Sequence, residues 1–182
     1  MTSLFDIQAS SGFKELLLED FDANWKRISG RINHQPLLHE WTPLKLEMRA
    51  MDKRSTKLPS IATVYLSGLL AFPARVKDEL FPRSTGLEFL PVEVDGAPWL
   101  LLNCLNAAES FDEDASDVWR AGEGQIFTVL KLKVTDPKVS GLELFTLDGS
   151  NRAQLFATSS FMARVKALKL EGIAFNRVGE VT

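Results

Sequence analysis

The chain is poor in the side chains that build metal and redox sites. One cysteine in 182 residues excludes an intrachain disulfide and a thiolate zinc cluster. That residue, Cys104, lies in the apolar run Trp99 to Leu105, a context that predicts a small core residue rather than a nucleophile. The two histidines, His34 and His39, flank Pro36 at a spacing that fits neither one helix face nor a His-Glu-x-x-His site. With a single tyrosine, Tyr65, a histidine-based triad has few candidates, and no glycine-flanked serine forms a nucleophile elbow. Glycine clusters that cradle phosphate are also missing. No apolar run is long enough to cross a bilayer, and Met-Thr-Ser-Leu-Phe-Asp offers neither a basic stretch nor an apolar segment after it. The expectation is a soluble cytoplasmic protein without a metal or cofactor. A net charge of −3 provides no basic face for nucleic acid.

What is abundant is apolar. Hydrophobic residues make up 45% of the chain, with twelve Phe and four Trp, enough for one globular unit of 182 residues to bury its own core. One pattern occurs twice. Residues 69–94 read Leu70-Ala-Phe-Pro73, Ala74-Arg-Val-Lys77, then Gly86-Leu-Glu-Phe89 and Val92. Residues 155–180 read Leu155-Phe-Ala-Thr158, Ala163-Arg-Val-Lys166, then Gly172-Ile-Ala-Phe175 and Val178. Each predicts strand, short helix, strand. In the second, Phe161, Val165 and Leu168 form one apolar stripe, with Thr158 or Ser159 to start the helix and Gly172 to end it in a left-handed conformation. In the first, Pro73 suits the opening helical position and Pro82 closes the helix.

Residues 1–40 read least clearly. Phe13, Leu16, Leu17 and Phe21 suggest a helix face, followed by a connection from Gly30 to His39. Leu44, Leu46 and Met48 then alternate with Lys45, Glu47 and Arg49, the period of a half-buried strand. Asp95-Gly96 predicts a hairpin between 87–94 and 99–105. A second hairpin is expected between 125–134 and 142–147, with Lys131 and Lys133 on its solvent face. A turn at Asp148-Gly149 should lead into a strand at 153–157. Together these predict an α+β fold with a mainly antiparallel sheet and short helices, containing the two related strand-helix-strand units.

The most distinctive polar stretch packs Glu109, Asp112, Glu113, Asp114 and Asp117 into nine residues without a basic residue. Asp112, Asp114, Ser116 and Glu123 follow part of a calcium-loop spacing, but Asp117 stands where the turn glycine belongs and no amphipathic helix clearly flanks it. A solvated acidic loop is the plain alternative. A third reading is an acidic patch for a basic partner, with Trp119 as an aromatic anchor or as a partly buried core residue.

Trp41-Thr-Pro43, Leu87-Glu-Phe-Leu-Pro-Val92, Leu101-Leu-Asn-Cys-Leu105, the acidic loop with Ser116, Leu155-Phe-Ala, Phe161 and Glu171-Gly-Ile-Ala-Phe175 together resemble the myxobacterial-type immunity family of bacterial polymorphic toxin systems. The likeness spans roughly residues 41–180. It departs at Phe72-Pro73, where a serine or threonine often precedes the first helix. The resemblance implies a non-enzymatic cytoplasmic protein that neutralises a cognate toxin, encoded beside it, by forming a stoichiometric complex. Glu109, Asp112, Glu113, Asp114, Asp117 and Trp119 are then the candidate partner-binding residues. The competing class is an enzyme, or a small-molecule or metal-binding domain, with a site assembled from scattered residues.

Overall fold

The computed structural model describes residues 2–65, 68–122, 124–151 and 154–182. In chain order the strands are β1 (Thr2–Ala9), β2 (Glu15–Leu18), β3 (Leu44–Arg49), β4 (Ala62–Thr63), β5 (Leu70–Pro73), β6 (Leu87–Val94), β7 (Ala97–Cys104), β8 (Ala107–Ala108), β9 (Asp117–Ala121), β10 (Gln125–Val134), β11 (Leu144–Leu147), β12 (Phe156–Thr158) and β13 (Ile173–Val181). The α-helices are α1 (Phe21–Ile28), α2 (Lys77–Leu80) and α3 (Ser159–Ala167), with single 3₁₀ turns at Leu38–Glu40, Ala74–Val76 and Pro137–Val139.

The fold is α+β, as the sequence implies, but the strands form two sheets, and both are mixed. The six-stranded sheet runs β2-β3-β6-β7-β5-β4, and the seven-stranded sheet runs β8-β11-β12-β1-β13-β10-β9. Most neighbours are antiparallel; β3 with β6, β10 with β13 and β8 with β11 are parallel. The six-stranded sheet curls until its edges meet, where Leu16 bridges Val64 and the Tyr65 amide donates to the Leu16 carbonyl at 2.8 Å.

The two sheets share a plan. In one, β6 and β7 form a hairpin, β7 also pairs with β5, β5 with β4, and the end of β6 lies parallel to β3. In the other, the pairs β13–β1, β1–β12, β12–β11 and β13–β10 repeat these four relations in the same sense. Register follows as well: Val94 pairs with Ala97 and Leu46, while Val181 pairs with Thr2 and Val134. The N-terminal strand β1 thus occupies, in the second sheet, the place that β7 holds in the first.

Each sheet encloses its own apolar core. Leu16, Leu18, Leu44, Leu46, Val92, Val94, Trp99 and Leu101 fill the first, and Leu4, Ile126, Val129, Leu132, Val134, Phe145, Phe156 and Val181 fill the second. The outer faces meet in a third cluster, where Leu100, Leu102 and Cys104 of β7 and Ile7 of β1 lie with Leu80, Phe161 and Val165 from the helices. There Phe81 contacts Phe72, Phe89 and Phe161 at ring separations of 5.2, 5.2 and 5.5 Å. Burying each ring contributes about 1.5–3 kcal/mol.

Several local expectations hold. The Asp95-Gly96 hairpin forms over eight paired positions, with φ of 47° and 80° at the turn, the mirror-image geometry that matches strand twist. Phe161 and Val165 are buried and Leu168 half-buried, as the stripe requires. Cys104 is fully buried.

Others need correction. Leu16 and Leu17 lie in β2, where Leu16 and Leu18 alternate inward, and the helix begins only at Phe21. Strands 125–134 and 142–147 form no hairpin, since β10 pairs with β9 and β13 while β11 pairs with β12 and β8. Pro73 ends β5 instead of opening a helix. Thr158 stands at the start of α3, but its hydroxyl is engaged by Ser160 and the Glu143 carbonyl and caps no helix amide. Lys169, with φ 54°, supplies the left-handed residue after α3; Gly172 instead lets the chain pass the Ile61 carbonyl, which a Cβ would meet at 2.2 Å. β12 covers 156–158, and residue 153 of the expected strand lies outside the described residues.

Gly179 is where β10 is laid against β13, and a Cβ there would sit 1.6 Å from the Leu132 carbonyl oxygen. Gly179→Ala is expected to lower stability by about 3 kcal/mol, the upper range for overpacking, because backbone must give way; urea unfolding measures it. The strand plan yields a second expectation. A permuted chain joining residue 182 to residue 2 through an Asp-Gly turn, opened between residues 10 and 13, should unfold as cooperatively as the parent. Deleting residues 2–9 without replacement should abolish the cooperative transition, as read by circular dichroism.

Candidate functional site

β8 leads into the acidic stretch, and Ser110 to Asp112 lies beside the end of β10. There the Asp112 amide donates to the Lys133 carbonyl at 2.8 Å and the Thr135 amide to the Ser110 carbonyl at 3.3 Å. From Glu113 the chain leaves this edge, turns, and returns as β9 along the outer part of β10. β9 and β10 thus form a two-stranded ribbon at the margin of the seven-stranded sheet.

The six candidate residues divide into two groups. Glu109 pairs with Lys138 at 2.7 Å, Asp112 with Lys133 at 3.1 Å, and Glu113 with Arg120. These three carboxylates are neutralised locally. The Lys133 ammonium, with the Ala115 amide, holds the Asp112 carboxyl below the ordinary carboxylate range. Asp136 likewise lies below its ordinary value because it accepts from the Glu109 and Lys138 amides, at 2.8 and 2.9 Å, which pins the loop to the 3₁₀ turn. Asp114 and Asp117 have no ion-pair partner among the described residues. Trp119 is 64% exposed, not core.

Two further residues join Trp119. The β9–β10 register slips between Ile126 and Thr128 and again between Val129 and Lys131, so Phe127 and Leu130 are unmatched extra residues. They are 61% and 58% exposed, while Ile126, Val129 and Leu132 stay in the core. Lys131 is exposed and Lys133 half-buried beside Asp112, so both lie on the outer face as expected, whereas Leu130, which the same alternation places inward, is turned out with them. Of five large exposed apolar side chains among the described residues, three lie on this ribbon. A regular alternation gives no sign of two bulges, so sequence reading assigns Leu130 to the core side.

No three His, Cys, Asp or Glu side chains among the described residues are grouped to hold a metal. Glu123, the twelfth position of the calcium spacing, lies outside the described residues. His34 reaches the Asn151 carbonyl at 3.2 Å and is not grouped with His39. No helix among the described residues is long and apolar enough to cross a membrane.

Two buried polar side chains, Asn103 and Asp6, organise clusters that leave no pattern in the sequence. Asn103 is fully buried; its side-chain oxygen accepts from the Asn33 amide, and its nitrogen donates to the Gln35 carbonyl at 3.0 Å and Glu88 at 2.8 Å. This cluster fixes the 31–38 connection on β6 and β7, and Glu88 completes it by accepting from the Leu37 amide. Asp6 is 5% exposed and accepts from Gln8 at 2.6 Å. Gln154 bonds Val129 in both directions, at 2.9 and 3.1 Å, and also lies within reach of Asp6. A cleft of about 1070 Å³ opens between the Pro82–Thr85 turn, residues 140–144 and the start of α3. Its carboxylate, Glu143, is held by Arg164, which also donates to the Leu80 carbonyl.

No protein-family model matches the chain, and no curated protein matches it either. The resemblance to the immunity family therefore rests on the residues quoted for it.

Burial raises the Asp6 carboxyl above its ordinary value of 3.8. A raised acid destabilises the fold when charged. The penalty is absent below the ordinary value, grows as pH rises through the folded one, and is complete above it. Asp6→Asn, which keeps the acceptor for Gln8, is expected to raise the thermal midpoint at pH 7 to 8. The advantage should vanish as the pH falls below the ordinary carboxylate range, as followed by scanning calorimetry.

Proposed function

We propose that this protein is an immunity protein, a non-enzymatic inhibitor that neutralises a cognate bacterial toxin by stoichiometric binding in the cytoplasm of the cell that makes it. The observation that carries the reading is the concentration of Trp119, Phe127 and Leu130 on one exposed ribbon, beside Asp114 and Asp117. Exposed aromatic and aliphatic anchors ringed by charge are the composition of a protein-binding hot spot. The contact is led by apolar anchors, with the two carboxylates tuning encounter and partner choice. Glu109, Asp112 and Glu113, tied to neighbouring cations, shape the loop.

Inhibition inside a cell calls for nanomolar binding or better, about −12 kcal/mol, and an interface of roughly 1,600 Å². The ribbon supplies its centre, and neighbouring loop tips its margin. The two strand-helix-strand units are read as copies of one ancestral unit, supported by the four shared strand relations. The ribbon lies outside both copies and is joined to the second through the pairing of β10 with β13.

The expected outcome is co-purification with the product of the adjacent gene, and survival of cells that co-express the two. Trp119→Ala should weaken the complex about 30-fold, the effect of losing roughly 2 kcal/mol at an aromatic anchor, measured by calorimetry on a variant with an unchanged thermal midpoint. Failure of co-expression to rescue cells from that product would overturn the assignment, as would turnover of a substrate by the purified chain.

A further inference from the structure

We propose that β9 is a receptor edge that takes one extended segment of the bound toxin as an additional antiparallel or parallel strand, basic where it meets Asp117 and apolar where it meets Trp119. This rests on the immunity reading and specifies the partner element.

The argument begins with backbone. β9 is the last strand of its sheet, and among the described residues its outer side receives no hydrogen bond, main chain or side chain. The corresponding margins elsewhere are occupied. β2 and the segment after β4 meet through Leu16, Val64 and Tyr65, and the chain beyond β8 is bonded to Lys133 and Thr135. An open edge of five residues presents a row of main-chain donors and acceptors whose natural complement is another strand.

Side chains then choose which strand. Proteins usually guard such edges with charge or shortness, yet β9 carries Trp119 at its centre, 64% exposed. Arg120, its one cation, is already committed to Glu113 and to the Gly124 carbonyl at 3.0 Å. Asp117 on β9 and Asp114 just before it have no ion-pair partner among the described residues. The edge therefore shows uncompensated negative charge next to a large apolar surface. A second copy of this chain would bring the same two carboxylates to the same edge, so charge disfavours self-pairing and favours a segment bearing lysine or arginine.

The test uses the full chain, alone and with the product of the adjacent gene, followed by hydrogen exchange. On complex formation, amides in 117–121 are expected to slow at least tenfold, together with one extended stretch of the toxin containing a basic residue. Asp117→Lys, at an exposed position, should weaken the complex at least tenfold while leaving the thermal midpoint of the free chain unchanged. If a nanomolar complex forms but exchange in 117–121 stays unchanged, strand addition is wrong and the immunity reading stands. If no complex forms and co-expression does not rescue, both are wrong. Protection of 117–121 that appears in the chain alone as its concentration rises would assign the edge to a second copy and overturn the toxin segment as its occupant.

Discussion

Eight residues from the N-terminal end of the chain hold the C-terminal half together. β1 lies between β12 and β13, antiparallel to both, so both edges of its main chain are spent on strands that follow it by about 150 residues or more. Its side chains divide between two cores, Leu4 entering the seven-stranded sheet and Ile7 the cluster between the sheets. Without it, β12 and β13 would expose main-chain groups in an apolar interior, where an unmade hydrogen bond costs about 1–3 kcal/mol. Closure of this half is therefore a long-range event, and loop-closure entropy makes it slower than pairing of the local β6–β7 hairpin.

That dependence explains which features can be read along the sequence. Asp95-Gly96 announces its hairpin because both φ values it needs are favourable for those residues and its partners are neighbours. The α3 stripe is legible for a similar reason, since period and burial face agree over nine residues. Pairing of β10 is not legible. Its end lies parallel to β13, nearly fifty residues onward, and its outer part pairs antiparallel with β9, while the nearby 142–147 segment crosses to join β12. Leu16-Leu17-Leu18 is also ambiguous, because three successive leucines fit a helix as well as a strand. The choice is made by β3 alongside and by Val64 across the closing bridge. The acidic stretch was visible as charge, but the cations that neutralise it, Arg120, Lys133 and Lys138, are supplied by β9, β10 and a 3₁₀ turn.

Buried polar groups show how the halves differ within one plan. Taking Val94 with Val181 and Ala97 with Thr2, Leu101 of β7 corresponds to Asp6 of β1, and Asn103 to Gln8. Leu101 is a plain core residue. Asp6 is a desolvated acid held by amides, which stabilises less than an apolar side chain of similar volume at neutral pH. Asn103 secures the 31–38 connection, and Gln8 instead serves Asp6. Equivalent places thus carry an apolar core residue in one half and a costly acid in the other, and a structural clamp in one half and the acid's own partner in the other.

The same comparison bears on the exposed ribbon. Between its first two strands, the first half inserts residues 19–43, which fold over the sheet as α1 and a 3₁₀ turn and bring Phe21, Trp25 and Trp41 down onto the core. Trp41 is fixed there by its ring nitrogen on the Pro91 carbonyl at 2.8 Å, with the Arg27 guanidinium over its face. In the second half the corresponding excursion is the β9 ribbon. Val118, Ile126 and Val129 cover the core, and Trp119, Phe127 and Leu130 are left in water. Covering the core does not require those three side chains, since Val118, Ile126 and Val129 on the same ribbon already do so. Exposed apolar area of this kind favours association, and among the described residues it is gathered on this ribbon, whereas Leu38 and Leu58 in the first half stand singly; the fold's own packing gives no reason for that grouping.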